Sequence, residues 1–183
     1  MSLELYFLRS SEQKIVTDML KVAYELNLKN KNLYECAELA IYHNYYGLTP
    51  KDLGLYVLFK HKIAGAIWTR KLTKEDNSNA FVDENTPVLH ITVLPELRAQ
   101  GIGSSMIEQF LQEAGAIYAQ ISVSVKNDSP EISFYEKFGF VKVENSEKKA
   151  YMDESRVFTM LKTLEQKEVV RPSDGYDPRK WMD

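Results

Sequence analysis

The sequence predicts one mixed α/β domain, with helices on both faces of a mixed sheet. Three observations predict it. Apolar periodicity switches between strand and helix type in the order β-α-α-β-β-β-α-β-α-β-β, which is neither strict βαβ alternation nor all-β. The 183 residues are close to one domain's worth and enough to bury a sizeable core. Their balance, 44% apolar and 27% charged, is that of an ordinary globular chain and excludes a disordered or collagen-like one.

Residues 3–8 read as a first strand. Ser10 or Ser11 then caps a helix, its hydroxyl accepting from a first-turn amide. Ile15, Met19, Val22, Ala23 and Leu26 give that helix one apolar face. A polar break over 27–32 precedes a second helix over 33–45, with Leu33, Ala37, Ala40 and Ile41 inward. Gly47 ends it and Pro50 prevents its resumption. Residues 55–59 and 63–71 are β-type runs joined by a hairpin-length connection, Lys60-His61-Lys62. The polar, turn-rich stretch 72–86 reads as a long surface loop.

A strand over 88–94 leads past Gly101 and Gly103 into a helix whose inner side is Met106, Ile107, Phe110, Leu111 and Ala114. A strand over 117–125 follows. Ser129-Pro130-Glu131 marks a helix start: a capping hydroxyl, a proline in the first turn and an acid near the positive helix end. Gly139 stops that helix, and 140–143 and 157–161 are the last strands. Pro172, Gly175 and Pro178 then mark an extended segment, so the expected division is a domain over 1–163 and a tail over 164–183.

Composition excludes several functions. A net charge of −3, from 23 basic and 26 acidic residues, opposes general nucleic-acid binding, which needs a basic face. One cysteine, Cys36, excludes an internal disulfide framework and a CxxC metal site, and it suits a reducing cytoplasm, the expected compartment. With three dispersed histidines besides, no metal site is expected. No apolar run approaches the roughly 18 residues that cross a membrane, and the first residues lack a secretory-signal pattern. No G-x-S-x-G elbow supports a serine hydrolase.

The segment from Val93 to Ser104 carries the most chemistry. A strand ends, a short turn follows, and a helix begins at paired glycines. Glycine lets backbone approach a ligand and adopt positive φ. The first amides of a helix have no intrahelical partner and lie at its positive end, which suits an anion such as a pyrophosphate. A Walker loop needs Gly-Lys-Ser/Thr, and no lysine follows these glycines. A dinucleotide fingerprint needs a third glycine, where Ser104-Ser105-Met106 stand. Spacing alone also fits a plain strand-to-helix turn without a ligand.

Arg98-Ala99-Gln100-Gly101-Ile102-Gly103 resembles the R/Q-x-x-G-x-G/A motif of the GNAT superfamily, the Gcn5-related N-acetyltransferases. The likeness extends to both sides. Val93-Leu94-Pro95-Glu96 resembles the family's V-x-P-E lead-in. Asn127 followed by Phe134-Tyr135-Glu136-Lys137-Phe138-Gly139-Phe140 resembles its second signature, N…LYEKLGF. Ile63-Ala64-Gly65-Ala66-Ile67-Trp68 resembles its hairpin strand.

The resemblance spans residues 3–163 and implies the acyl-CoA N-acyltransferase fold, a mixed, mostly antiparallel sheet of about seven strands flanked by helices. It implies acetyl-CoA as co-substrate and an amine as acceptor. Arg98 opens the loop, and the amides of Ala99, Gln100, Gly101, Ile102, Gly103 and Ser104 would hold the pyrophosphate. The strand edge Ile91-Thr92-Val93 would pair with the pantetheine arm as an added strand does, and Asn127 would contact the same arm. Asn127 and Tyr135 stand one residue further apart than in the family pattern. Either a residue is inserted before Ser129-Pro130, or Asp128 fills the asparagine place.

The chemistry implied is attack of a neutral amine on the thioester, directly in a ternary complex, because no nucleophile is placed to carry the acyl group. A strand amide near Thr92 or Val93 would stabilise the oxyanion. Tyr135, in the family's tyrosine position, would protonate the leaving thiolate; the alternative is that it packs beside Phe134 and Phe138. His90 is a candidate base or acceptor contact, with a packed histidine as the alternative. Asp83 and Glu84 in the preceding loop are unassigned, and His43 and His61 read as surface residues. Tyr34, Tyr42, Tyr45 and Tyr46 lie in a region that lines the acceptor side in this family, or else they are core. Trp68 is core-facing or at the cleft rim. The acceptor expected is the primary amine of a small molecule. The alternatives are a peptide or protein amine, and a catalytically weak acyl-CoA-binding module. Many members dimerise, so a homodimer belongs to the same expectation.

Overall fold

The computed structural model describes residues 2–48 and 52–166; Pro50 and most of the expected tail lie outside them. Eight strands of the described residues form one sheet: β1 (Leu3–Phe7), β2 (Leu53–Phe59), β3 (Lys62–Arg70), β4 (Val88–Val93), β5 (Gln120–Lys126), β6 (Val141–Lys142), β7 (Lys148–Lys149) and β8 (Arg156–Thr163). Their spatial order is β1-β2-β3-β4-β5-β8-β6, with β7 also paired to β8. Every pairing is antiparallel except β4 with β5. The expected mixed, mostly antiparallel sheet is therefore present, and the two-residue β7 is the strand the sequence did not announce.

Among the described residues, three α-helices flank the sheet: α1 (Gln13–Ala23), α2 (Ile102–Gly115) and α3 (Glu131–Lys137). Side chains alternate across the central strands, and this divides the core in two. Ile67 and Leu89 pack with Ile102, Met106 and Phe110 of α2. Ala66, Trp68 and Val88 face the other way, onto Val16, Met19 and Leu20 of α1 and onto the 33–46 segment. No helix among the described residues is long and apolar enough to cross a membrane.

Four smaller expectations change within this frame. The serine cap is not made; a 3₁₀ turn over Ser10–Glu12 precedes α1, and the Glu12 carboxylate accepts from the Arg9 backbone N–H at 2.8 Å. The helix stops at Ala23, so Leu26 is buried from the loop beyond it. The connection between β2 and β3 is two residues, not three: Phe59 pairs with Lys62, and Lys60 and His61 both have positive φ, as a type I′ turn requires. Residues 72–86 are not simply a surface loop. Ser78, Asn79 and Ala80 are buried, because distant groups satisfy their polar atoms: Ser122 donates to Ala80 O at 2.7 Å and Asn79 Nδ2 donates to Lys149 O at 3.1 Å.

The largest departure is over 33–45, where no α-helix forms. Two 3₁₀ stretches, Leu33–Glu35 and Ala37–Tyr42, take its place. The buried apolar residues are Leu33, Cys36, Leu39 and Tyr42, every third position, which is the period of the tighter helix. Ala37, Ala40 and Ile41 fall off that line. Arg70 pins the end of the segment to the sheet. Its guanidinium donates to Asp52 Oδ1 at 3.2 Å, to Asp52 Oδ2 at 3.3 Å and to the carbonyls of Ile41, Asn44 and Tyr45. Asp52 also accepts from Gly47 N–H at 2.9 Å.

Tyr46 ends this segment with its hydroxyl buried and unpartnered among the described residues. It presses on Gly54, where an added Cβ would lie 2.4 Å from the Tyr46 oxygen, so only glycine fits. A buried polar atom without a partner costs about 1–3 kcal/mol. Tyr46→Phe is therefore expected to raise the free energy of unfolding by about 1 kcal/mol, read from urea denaturation. A loss of stability would mean that the hydroxyl is satisfied in solution.

Candidate active site

The site begins where the sheet opens. β4 runs antiparallel to β3 as far as Val93 opposite Gly65, and β5 pairs with β8 as far as Lys126. Between β4 and β5 the only register pair is Val88 with Ser122. Past it the two strands part, and the β5-facing edge of β4 has no strand partner among the described residues. Leu94 N–H donates to Ala64 O at 2.8 Å. Antiparallel ladders alternate, so Leu94, Thr92 and His90 direct their backbone groups to β3. Ile91 and Val93 direct theirs into the gap.

A curled loop lies at the head of this gap. After a 3₁₀ turn over Pro95–Leu97, the Arg98 side chain folds back and its Nε donates to Val93 O at 3.0 Å. Ala99 and Gly101 have φ of 59° and 81°, left-handed geometry of the kind that forms anion-binding backbone concavities. A Cβ on Gly101 would meet nothing within 4 Å, so this backbone borders open space. Ile102 is buried and roots α2. Ser105 N–H donates to Gly101 O at 3.1 Å, the first bond of the helix. The amides of Ile102, Gly103 and Ser104 precede it and have no intrahelical acceptor.

Across the gap stands α3. Ser129 Oγ accepts from Glu131 N–H at 3.1 Å, the expected helix start. Tyr135 is 5% exposed; its ring meets Phe134 and Phe140 edge-on at 5.4 and 5.3 Å. Phe138 packs on Phe134 at 5.2 Å. Burial, then the nearby Glu131 and Tyr24, push the Tyr135 phenol well above its ordinary pKa. Glu131, one turn earlier, presents surface to solvent but is crowded on its other sides. Burial raises its pKa, against a downward pull from Arg98 and Lys126.

On the α1 side, His90 lies in an aromatic cluster. Its ring stacks on Trp68 at 5.4 Å with planes 16° apart and meets Tyr42 at 4.3 Å. Its Nε2 is 3.1 Å from the Tyr24 hydroxyl. Burial lowers its pKa to about 4. The Tyr42 hydroxyl lies 2.7 Å from Ser78 Oγ and 2.6 Å from the Tyr151 hydroxyl. Tyr42, Tyr46 and Trp68 are core residues, while Tyr34 and Tyr45 are exposed. His61 is at the surface as expected, but His43 is buried, its Nδ1 3.1 Å from Thr17 Oγ1. Asp83 shapes its own loop, accepting from Asn85 N–H at 2.8 Å and Thr86 Oγ1 at 3.0 Å.

Asn127, at the end of β5, donates from Nδ2 to Glu147 at 3.0 Å, and its Oδ1 is buried without a partner among the described residues. Asp128 follows with a φ of 59°. Both border one cavity of about 330 Å³ with Ile132 and Glu136 of α3. Ile91, Val93, the 98–104 loop and Tyr135 thus surround one gap, with His90 on its far side. Sequence reasoning passed over Tyr24, Tyr151 and Glu131. Tyr24 and Tyr151 belong to no motif, and only the tertiary fold brings Tyr24 to His90 and Tyr151 to Tyr42 and Tyr24.

Several solved structures share this architecture. A GNAT-family acetyltransferase from Streptococcus pneumoniae is 21% identical, with a TM-score of 0.66 over 89% of this chain and 99% of that one. The ribosomal-protein-S18-alanine N-acetyltransferase of Escherichia coli is 14% identical, with a TM-score of 0.59 over 96% and 100%. A chimera of the spermidine N-acetyltransferase SpeG from Vibrio cholerae is 17% identical, with a TM-score of 0.61 over 91% and 96%. Identities this low establish the fold, that of the N-acetyltransferases. No curated protein sequence matches the chain. A family model described as an acetyltransferase (GNAT) domain matches residues 51–142, and the chain belongs to the GNAT acetyltransferases. It is an acyltransferase of a family whose co-substrate is acetyl-CoA.

Proposed function

We propose that the protein transfers the acetyl group of acetyl-CoA to the primary amine of a small molecule, by direct attack in a ternary complex. The observation that carries this reading is the unpaired edge of β4, with the curled loop at its head and Tyr135 across the gap. Acetyl-CoA fits in three places. Its pyrophosphate takes the amides from Ala99 to Ser104. Its pantetheine arm pairs with Ile91 and Val93 as an added strand. Its thioester then lies between β4 and Tyr135.

The amine attacks the thioester carbon, and the C–S bond breaks as the tetrahedral intermediate collapses. Of the two strand amides considered for the oxyanion, Val93 N–H faces the gap, whereas the ladder turns Thr92 toward β3. Tyr135 gives its proton to the departing sulfur, and the surplus proton of the attacking nitrogen passes through solvent water to the phenolate, which restores the phenol. His90, a weak proton acceptor in its buried setting, serves better in holding Tyr24 than as the base. Tyr24 and Tyr151, with rings 6.4 Å apart, wall the α1 side and favour a small acceptor over a folded one. The lone, buried Cys36 suits a reducing compartment such as the cytoplasm.

Thiol release from acetyl-CoA, measured across polyamines, aminoglycosides, amino acids and peptides, tests the reading. The expected result is the highest kcat/KM with a small amine. Turnover of peptides alone would move the acceptor to a protein, and acetyl-CoA binding without any turnover would favour a binding module. Gly101→Ala sharpens the cofactor half. Its Cβ would point into the open space and its φ would be strained. The KM for acetyl-CoA should rise about tenfold, a loss of roughly 1.4 kcal/mol of binding. Gly103→Ala, whose Cβ would find only ordinary contacts at 3.8 Å, should change it much less. Equal effects would argue against a pyrophosphate at Gly101.

A further inference from the structure

One ring nitrogen of His90 is engaged and the other is not. Nε2 lies 3.1 Å from the Tyr24 hydroxyl. Nδ1 is buried, and no described residue partners it. Buried N–H groups without an acceptor are rare, whereas a bare lone pair is better tolerated. The single proton of the neutral ring therefore belongs on Nε2. The ring has little freedom to turn, because Trp68 stacks on it and Tyr42 packs at 4.3 Å.

In this tautomer His90 donates and the Tyr24 oxygen accepts. That bond occupies one lone pair of the phenol and turns its O–H away from the imidazole. Tyr24 follows the last turn of α1, the helix that packs on β4 beside the gap. It is also near enough to Tyr135, on the opposite wall, to oppose that phenol's ionisation, after burial and Glu131. Through His90 the Tyr24 hydroxyl is tied to β4 at the position next to Ile91, whose backbone faces the gap. Resting on the acyl-transfer reading above, we propose that Tyr24 is a catalytic hydrogen-bond donor, its O–H aimed at the acyl oxygen as the oxyanion forms, and that His90 is the positioning residue that aims it.

The test uses the full chain with acetyl-CoA as probe, following thiol release with the best amine and, without an amine, the slow hydrolysis by water. A lost oxyanion donor costs on the order of 10²–10³ in kcat. Tyr24→Phe should fall by about 10²-fold with the KM for acetyl-CoA unchanged. His90→Gln, which keeps an N–H at the reach of Nε2, should stay within about fivefold of the parent, while His90→Leu falls as far as Tyr24→Phe. The double variant Tyr24→Phe/His90→Leu should be no slower than Tyr24→Phe alone, because the two act as one unit. Should His90→Leu fail to fold, Tyr24→Phe and His90→Gln still decide the matter.

Nitrogen-15 NMR of labelled histidine reads the tautomer without any turnover and should find the proton on Nε2. A proton on Nδ1, a parental rate for Tyr24→Phe, or His90→Gln as slow as His90→Leu would overturn the proposal. Failure of the parent protein to cleave acetyl-CoA would overturn the acyl-transfer reading and the catalytic role of Tyr24 with it, while the tautomer result would still report on how His90 holds Tyr24.

Discussion

Tyr135→Phe is expected to lower kcat by about 10²-fold while leaving the KM for acetyl-CoA nearly unchanged. The hydroxyl is the only atom lost, and the ring keeps its edge-on contacts with Phe134 and Phe140, so the fold should not register the change. Burial is the first cause of the raised pKa of this phenol, followed by Glu131 and Tyr24. A phenol so raised is a weaker acid, which at first sight suits it poorly to protonate a thiolate. On the proposed route, however, the thiolate would form beside this buried phenol, where desolvation raises its proton affinity too. The match that matters is between two groups in one environment. The working form of Tyr135 is protonated, and a raised pKa extends that form toward higher pH. The parental kcat should therefore hold through the alkaline range without a falling limb from this group. An unchanged kcat in Tyr135→Phe would remove the residue from the mechanism.

Arg70→Met is expected to have the largest effect on stability, about 3–5 kcal/mol. Its partner Asp52 has a side chain only 3% exposed. Removing the guanidinium strands a carboxylate and frees three carbonyls that Arg70 now binds. Breaking one member of a buried pair costs more than the pair contributes, because the remaining charge is uncompensated. Arg70→Met/Asp52→Asn should accordingly recover a substantial part of the loss. Chemical denaturation of the two variants checks this; a double variant as unstable as the single one would show that the carbonyl contacts dominate. Because Arg70 holds the end of the segment that carries Tyr42, and Tyr42 packs on His90, damage here reaches the aromatic cluster before it reaches the 98–104 loop.

The half of the gap proposed for the cofactor was legible as local structure because its signals are local. The curled loop, the glycines, the start of α3 and Tyr135 each sit within a few residues of the features that position them. The acceptor half was not. Leu33, Cys36, Leu39 and Tyr42 share a face only if the chain winds at three residues per turn, whereas α-helical spacing selects Ala37, Ala40 and Ile41. Ser78, Asn79 and Ala80 look like loop surface until their partners arrive from Ser122, Lys149 and Tyr151. Tyr24 is 66 positions from His90 in sequence, and nothing in its neighbourhood marks it. Side chains that meet through long-range pairing carry no periodic signature, so their partners emerge only from the sheet.

The single parallel pair at Val88 and Ser122 has a consequence for how the protein holds together. In hydrogen-bond terms the sheet is two half-sheets sharing one seam, left unstitched over most of its length. An arm lying along Ile91 and Val93 would serve as a temporary strand, and the substrate would be a structural member for as long as it stays. Ligand binding and cohesion are then one equilibrium, since whatever occupies only the folded state stabilises it by mass action. Each turnover would close the seam and reopen it, so the firmness of the sheet would follow the supply of acetyl-CoA.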